Sequence, residues 1–389
     1  MRGAGEDRRP RVHLDHNATT PLRPEARAAL FDAYDRLGGN PSSIHASGRA
    51  ARAMLDDARE RIAAALGVQE DEVVFNSGGT ESNHLALLGT ITESADRLVT
   101  TTVEHSAVLA PAERLEKAGH AVTRIGVDAE GRLDVETLVR AAEGARLVSV
   151  MAANNEVGSV YDLGRIVAAL EESYGAQRPT VHSDAVQALG KLPLALSESG
   201  VDLASFSGHK VGAPVGVGFL FRRHGTALCP IFEGGGQESD LRAGTENVAG
   251  IHSMAVAVQL AVEEQESFAI RSRQHVERLW KGVGARVPAL RVLGPSIDAE
   301  ERLPNTLNLH VPGADGRMLV TRFDLDGLEL SAGSACSSGS LQPSHVLRAL
   351  GHDDDVARAG LRISVGRTTD EAEIAQAVET LSITLGKAS

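Results

Sequence analysis

The stretch Asp202-Leu-Ala-Ser-Phe-Ser-Gly-His-Lys210 ends an apolar run on a primary amine. Residues 201–206 are apolar enough for a buried strand. The chain then turns small and polar through Ser207, Gly208 and His209 before Lys210. Gly212, Ala213, Pro214, Gly216 and Gly218 follow, leading into a second apolar run over 217–221. An amine at a strand end, crowded by glycines, can approach a planar ligand closely, and a partly buried lysine loses enough basicity to form a Schiff base. Taken alone, the stretch also reads as a solvated lysine on a hairpin, so other segments must decide.

A strand over 72–75 leads into Asn76-Ser-Gly-Gly-Thr80 and an apolar helix through Leu88. Strand, glycine turn and helix start present backbone N–H groups and a helix dipole to a phosphate. The segment is neither G-x-x-x-x-G-K-[ST] nor G-x-G-x-x-G, so Gly79 and Thr80 are expected to cradle a single phosphate, with Thr80 as N-cap or phosphate ligand. His105, Asn155, Asp184 and Gln187 also stand at or just after predicted strand ends. A lone Asp is commonly a helix cap and a lone His a satisfied imidazole. Together with Lys210 they match the needs of pyridoxal phosphate: a lysine, a phosphate site, and an acid that keeps the ring nitrogen protonated so that the ring works as an electron sink. Asp184 would be that acid, and Gln187 would donate to the ring hydroxyl.

The elements that must position these groups alternate. Strands are expected over 12–15, 72–75, 97–102, 121–127, 147–151, 181–187 and 201–206, with helices between them, and one long helix over 248–279. Such alternation predicts an α/β fold with a mostly parallel sheet, whose ligands bind beyond the carboxyl ends of the strands. A chain of 389 residues exceeds one core, and two domains are expected: 12–260 as a large cofactor-binding α/β domain and 261–389 as a smaller α+β domain, with residues 1–15 joining the latter. Strands near 307–310 and 328–330 and a last helix from Glu371 belong to the small domain.

The formal charge of −13 argues against broad electrostatic binding to nucleic acid or an anionic membrane. Two cysteines, Cys229 and Cys336, without a C-x-x-C pair, speak against a disulfide framework or a structural zinc site, and no metal is expected. A charged N-terminus and the absence of any long apolar run point to a cytoplasmic protein, in which Asn17-Ala-Thr19 is no glycosylation site.

In their order along the chain, several segments together resemble one family. They are Leu-Asp15-His-Asn-Ala-Thr-Thr-Pro21, Gly39-Asn-Pro-Ser-Ser43, Ser77-Gly-Gly-Thr-Glu-Ser82, Glu104-His105, Asn154-Asn-Glu156, His182-Ser-Asp184-Ala-Val-Gln187, Ser207-Gly-His-Lys210, Arg242-Ala-Gly-Thr245, Gly333-Ser-Ala-Cys336 and Leu361-Arg-Ile-Ser-Val-Gly-Arg367. Each is weak alone. As an ordered set spanning residue 12 to near 385 they resemble the cysteine desulfurases of the nitrogen-fixation and iron–sulfur-cluster (NifS/IscS) type, within the class V aminotransferase-like pyridoxal-phosphate enzymes.

The resemblance implies a fold type I large domain with a seven-stranded, mostly parallel sheet, and a homodimer. It implies Lys210 as the Schiff-base lysine, His105 against the cofactor ring, Asp184 on the pyridine nitrogen and Gln187 on the ring oxygen. Gly79, Thr80, Ser207 and His209 would hold the phosphate, with Thr245 supplied by the other subunit. Asn155 would lie against cofactor and substrate, and Arg362 would clamp the substrate carboxylate with its bidentate fork.

Cys336 sits in a loop of almost only small residues, fit for a nucleophile, whereas Cys229 is expected to be a small buried hydrophobe. The implied reaction converts L-cysteine to L-alanine, with Lys210 moving the Cα proton, His105 managing the thiol proton and Cys336 keeping the sulfur as a persulfide. A sulfur-acceptor protein would then receive it for iron–sulfur cluster assembly, tRNA or DNA thiolation, or thio-cofactor biosynthesis. His84 departs from the polar amide expected there. The chain ends about twenty residues after Arg367, shorter than housekeeping members, which favours a dedicated pathway over a cluster-assembly scaffold. The rivals are a selenocysteine lyase or another class V aminotransferase-like enzyme, and, from a different class, a catalytically idle scaffold. The small-residue loop around Cys336 argues against an aminotransferase, and an intact Lys210, Asp184, His105 and Cys336 argue against the scaffold.

Overall fold

The computed structural model describes residues 11–333 and 342–386. The strands in chain order are β1 (Val12–His13), β2 (Val73–Asn76), β3 (Arg97–Thr101), β4 (Ala121–Ile125), β5 (Leu147–Ser149), β6 (Thr180–Asp184), β7 (Leu203–Ser207), β8 (Gly218–Arg222), β9 (Arg291–Val292), β10 (Thr306–His310), β11 (Leu328–Glu329) and β12 (Gly360–Ser364). Seven of them form the central sheet in the order β2-β8-β7-β6-β5-β3-β4. All pairs from β7 to β4 are parallel, and β8 runs antiparallel to both of its neighbours, which leaves β2 pointing the same way as β7. Lys210 therefore does lie in the connection of a β7–β8 hairpin, but one inserted into the middle of a sheet.

Buried strands with apolar residues on both faces make a sheet covered on both sides. Phe75, Val148, Ala204, Phe206, Phe219 and Phe221 enter one cluster, while their neighbours Val74, Leu147, Leu203 and Leu220 enter the opposite one. Phe206 and Phe219 stack across the β7–β8 pair with ring centroids 4.6 Å apart.

The helices are α1 (Pro24–Arg36), α2 (Ala46–Leu66), α3 (Gly79–Thr90), α4 (Ser106–Lys117), α5 (Val135–Ala141), α6 (Leu163–Tyr174), α7 (Leu196–Ser199), α8 (Val248–Glu263), α9 (Gln265–Gly284), α10 (Gly316–Leu325), α11 (His345–Ala349), α12 (Asp354–Arg358) and α13 (Glu371–Gly386). The first face packs on α2, α6 and α8, the second on α3 and α4. A separate cluster joins Val12 and Leu14 to residues of α9, β10, β12 and α13. No helix among the described residues is long and apolar enough to cross a membrane.

Three expectations need correction. The single helix over 248–279 is two, α8 and α9, which meet at Glu264, where ψ is −5° and the carboxylate is held by both terminal nitrogens of Arg23 at 3.0 and 2.9 Å. The N-cap of α3 is Gly78, at φ 145°, and Thr80 stands inside the first turn. Cys229 is exposed, not buried. Its N–H donates to the Gly89 carbonyl at 2.9 Å, and the preceding Leu228 packs inward against the cluster under α3, so alternation turns Cys229 outward.

Candidate active site

Because β2, β7, β6, β5 and β3 point the same way, their carboxyl ends open on one edge of the sheet, where a cavity of about 190 Å³ lies. The end of β7 contributes Ser207, His209 and Lys210, the last two on a single turn of 3₁₀ helix. The end of β6 contributes Asp184 and Gln187, the end of β5 Asn155, and the end of β3 His105. Gly79 and Thr80 enter from the turn after β2, and Arg362 from β12.

The turn after β2 fits a phosphate. A Cβ on Gly78 would stand 3.4 Å from Ser207 Oγ, and one on Gly218 would meet Gly78 Cα at 2.4 Å, so bare backbone is packed between the two chain segments. Asn76 Oδ1 accepts from Gly78 N–H at 2.9 Å and its amide donates to Ser82 Oγ at 2.6 Å, which fixes the turn from below.

Asp184 Oδ2 accepts from Asn83 Nδ2 at 2.7 Å and Oδ1 from Val186 N–H at 3.1 Å, so the carboxylate is oriented by two donors on the cavity wall. His105 is the N-cap of α4: its Nδ1 accepts from Ala107 N–H at 3.1 Å, which puts the proton of a neutral ring on Nε2. Burial and the neighbouring Lys210 pull His209 down to about 4.

Lys210 Nζ donates to the carbonyls of Asn17 and Ala18 at 2.7 and 2.6 Å. Arg362 is 1 % exposed, and its guanidinium donates to Asp15 Oδ1 at 2.6 Å and to the Asn155 carbonyl at 3.3 Å. Its buried Nε has no hydrogen-bond partner among the described residues. Thr245 is not on the cavity of its own chain; it is exposed and accepts from Asn40 Nδ2 at 3.4 Å. Cys336 lies outside the described residues. The described residues contain no cluster of three or more His, Cys, Asp or Glu side chains able to hold a metal ion.

Three residues to which the sequence assigned no role join this site. Asn83 orients Asp184. Asn17, 1 % exposed, accepts from Lys210 and Gln187 through its carbonyl and from Lys191 and Asn305 through Oδ1, while Nδ2 donates to Asn155 O and Thr306 Oγ1. Lys191, 5 % exposed, bonds Gln187 Oε1 at 2.5 Å. A lysine in an apolar stretch hints at Lys191 and the segment 14–21 contains Asn17, but Asn83 stands among Glu81, Ser82 and His84 with nothing local to mark it.

The aminotransferase class-V family model matches residues 12–377. The chain is 40% identical over 374 residues to a cysteine desulfurase IscS of Dictyoglomus turgidum, covering 95% of this chain and 93% of that one. Among solved structures, a NifS-like protein superposes with a TM-score of 0.89 at 34% identity, covering 97% of this chain and 100% of that one. A structure described as SspA in complex with cysteine superposes with a TM-score of 0.77 at 30% identity, over 91% of this chain and 98% of that one.

Proposed function

The chain belongs to the aminotransferase class-V family, and from that membership we propose how its cavity works. It is a cysteine desulfurase, an enzyme that removes the sulfur of L-cysteine and leaves L-alanine. One observation carries the assignment of the site: the Lys210 amine, the Asp184 carboxylate and the helix start at Gly79–Thr80 line a single cavity. These residues fit pyridoxal phosphate, which when bound supplies a protonated ring that accepts electron density from the substrate Cα.

Gly79, Thr80, Ser207 and His209 would hold its phosphate, and Asp184, kept in place by Asn83, its ring nitrogen. Gln187 would face the ring oxygen and His105 the ring. Lys210 would anchor the cofactor and move the proton at the substrate Cα. Arg362, with Asn155 beside it, receives the substrate carboxylate; an Nε that has no partner among the described residues supports that reading. The Cys336 thiolate would attack the substrate sulfur: an S–S bond forms, the C–S bond breaks with its electron pair going to the substrate carbon, which takes up a proton to become the methyl group of alanine, and Cys336 holds the persulfide until an acceptor protein takes it.

The exposed position of Thr245, away from its own chain's cavity, supports a homodimer in which it serves the partner's phosphate. The separate buried cluster that includes Val12 and Leu14 supports the division into residues 12–260 and a smaller unit of 261–389 joined by the N-terminal strand.

The test is incubation with L-cysteine and reductant, assaying sulfide and alanine. Wild type releases both. Lys210→Ala loses the near-visible absorbance band of the lysine-bound cofactor and all turnover. Cys336→Ser keeps the band and its change on adding L-cysteine but releases almost no sulfide. A Cys336→Ser variant that desulfurates at the wild-type rate would rule out the persulfide step.

A further inference from the structure

A buried lysine with no carboxylate beside it is costly, and such residues concentrate where function demands them. Lys191 is one. It is 5 % exposed, and its Nζ contacts two neutral acceptors, Asn17 Oδ1 at 3.0 Å and Gln187 Oε1 at 2.5 Å.

The contacts have a fixed polarity. Lysine only donates, so the Gln187 atom facing Lys191 must be the oxygen. A peptide carbonyl only accepts, so the atom facing Asn17 O at 3.0 Å must be Nε2. Flanked by an obligate donor and an obligate acceptor, the Gln187 amide has one orientation. Since Gln187 lines the cavity, what it can present there is an N–H and not a carbonyl. The same Asn17 carbonyl also accepts from Lys210, so both lysines lean on one residue.

We propose that Lys191 is a positioning residue that orients the Gln187 amide, and with it the Asn17 peptide that seats Lys210, so that an N–H faces the anionic oxygen of a bound ring. The inference rests on the reading of the cavity as a pyridoxal-phosphate site and adds a residue which that reading leaves without a role.

The surroundings agree. Burial, with Lys210 and Arg362 nearby, pushes Lys191 well below its ordinary range. The other charged groups near it share the small cavity behind Lys210: His16, Arg367, and Arg23, which Glu264 neutralises. Burial, with His13 and Lys191, brings His16 down to about 3. No carboxylate among the described residues contacts Lys191, so a salt-bridge role does not explain it.

The test is a spectral titration of the holoenzyme without substrate, from about pH 6 to about pH 10. An N–H aimed at the ring oxygen favours its anionic form and lowers the midpoint of the lysine-bound cofactor's band. Lys191→Met should raise that midpoint by about one unit, the worth of one hydrogen bond to a charged group. In a Gln187→Leu background the same substitution should leave the midpoint where Gln187→Leu alone puts it. Lys191→Gln, which keeps an N–H donor, should titrate close to wild type.

Replacing an unpaired buried lysine by an apolar side chain of similar volume is compatible with folding. Lys191→Leu carries the same expectation should the methionine pack poorly. A wild-type midpoint in Lys191→Met, or an equal shift with and without Gln187, overturns the inference and leaves the cofactor site standing. Absence of any Lys210-dependent band in wild type overturns the cofactor reading and this inference with it.

Discussion

Glu238 Oε1 accepts from Arg59 Nη2 at 2.7 Å, and the pair lies along the open edge of β2. Glu238 Oε2 also accepts from Phe75 N–H at 2.7 Å, while Arg59 donates to the Val73 carbonyl and sits over the Phe75 ring at 4.5 Å. Two side chains thus satisfy the strand groups that a neighbouring strand would otherwise take. To reach that position Glu238, Ser239 and Asp240 adopt φ of 48°, 56° and 65°, a run of left-handed, non-glycine residues that costs energy at each step. Just beyond it Arg242 donates to Glu81 at 2.9 Å, on the helix that starts the phosphate turn.

This arrangement predicts the cost of Glu238→Ala. Arg59 becomes a buried charge without its partner and Phe75 N–H loses its acceptor, so unfolding free energy should fall by about 3 kcal/mol. Urea denaturation of the single variants and of Glu238→Ala/Arg59→Ala measures it. The double variant should lose clearly less than the sum of the singles, and strict additivity would contradict a coupled pair.

The strand-end chemistry of this chain was readable in the sequence because each signal is local. Lys210 follows its own strand, and Asp184 and Gln187 follow theirs, so parallel strands alone bring them together. What was not readable depends on distant partners. Lys191 meets Asn17 across 174 positions and Glu238 meets Phe75 across 163, and neither pairing leaves a periodic trace. The glycine-rich turn suggested a hairpin of β7 and β8, but its insertion into the middle of the sheet was hidden, because pairing of β8 with the distant β2 leaves no local signal. Thr80 looked like a helix cap because capping preference is a property of residue type. The positive φ of Gly78 that displaces the start of α3 is a property of the packing against Ser207 and Gly218.

Asn83→Ala should act on Asp184. With Nδ2 gone, the carboxylate keeps only Val186 N–H, and its orientation toward the cavity loosens. We expect kcat for sulfide release to fall about tenfold, near 1.4 kcal/mol of transition-state stabilisation, with KM for L-cysteine little changed. An unchanged kcat would show that the Val186 contact suffices.

Glu104 sets a pH dependence of stability. Its Oε1 accepts from Thr101 Oγ1 at 2.8 Å and Met151 N–H at 2.9 Å, Oε2 has no partner among the described residues, and burial pushes the group from 4.5 up to about 8. Between those values the unfolded chain releases the proton while the folded protein keeps it. The stabilisation is therefore complete below the lower value and is lost as pH rises through the upper one. Cofactor-free wild type should melt progressively lower from about pH 5 to about pH 8, and Glu104→Gln, which needs no proton to stay neutral, should show a much flatter profile. Parallel profiles for the two proteins would mean that Glu104 ionises normally inside the fold.

Ser344 ties the chain just after Cys336 to the strand ends. Its Oγ donates to Glu156 Oε2 at 2.6 Å, and the adjacent His345 Nε2 meets the Glu104 carbonyl at 2.9 Å, directly before His105. On the other side of Cys336, Ser331 exchanges backbone hydrogen bonds of 3.1 and 2.7 Å with Arg362. The chain carrying the proposed nucleophile is thus fastened at one end to the proposed carboxylate clamp and at the other beside His105 and Asn155. Ser344→Ala removes one fastening without touching the cavity. Cofactor absorbance and its change on adding L-cysteine should stay as in wild type, because no cavity residue is altered. Sulfide release should slow roughly fivefold, since misplacing a reacting group by a fraction of its proper geometry is enough to lower the rate of attack. Stopped-flow absorbance beside a sulfide assay separates the two. A Ser344→Ala enzyme slowed in its absorbance change as well would place the Glu156 contact in substrate binding instead.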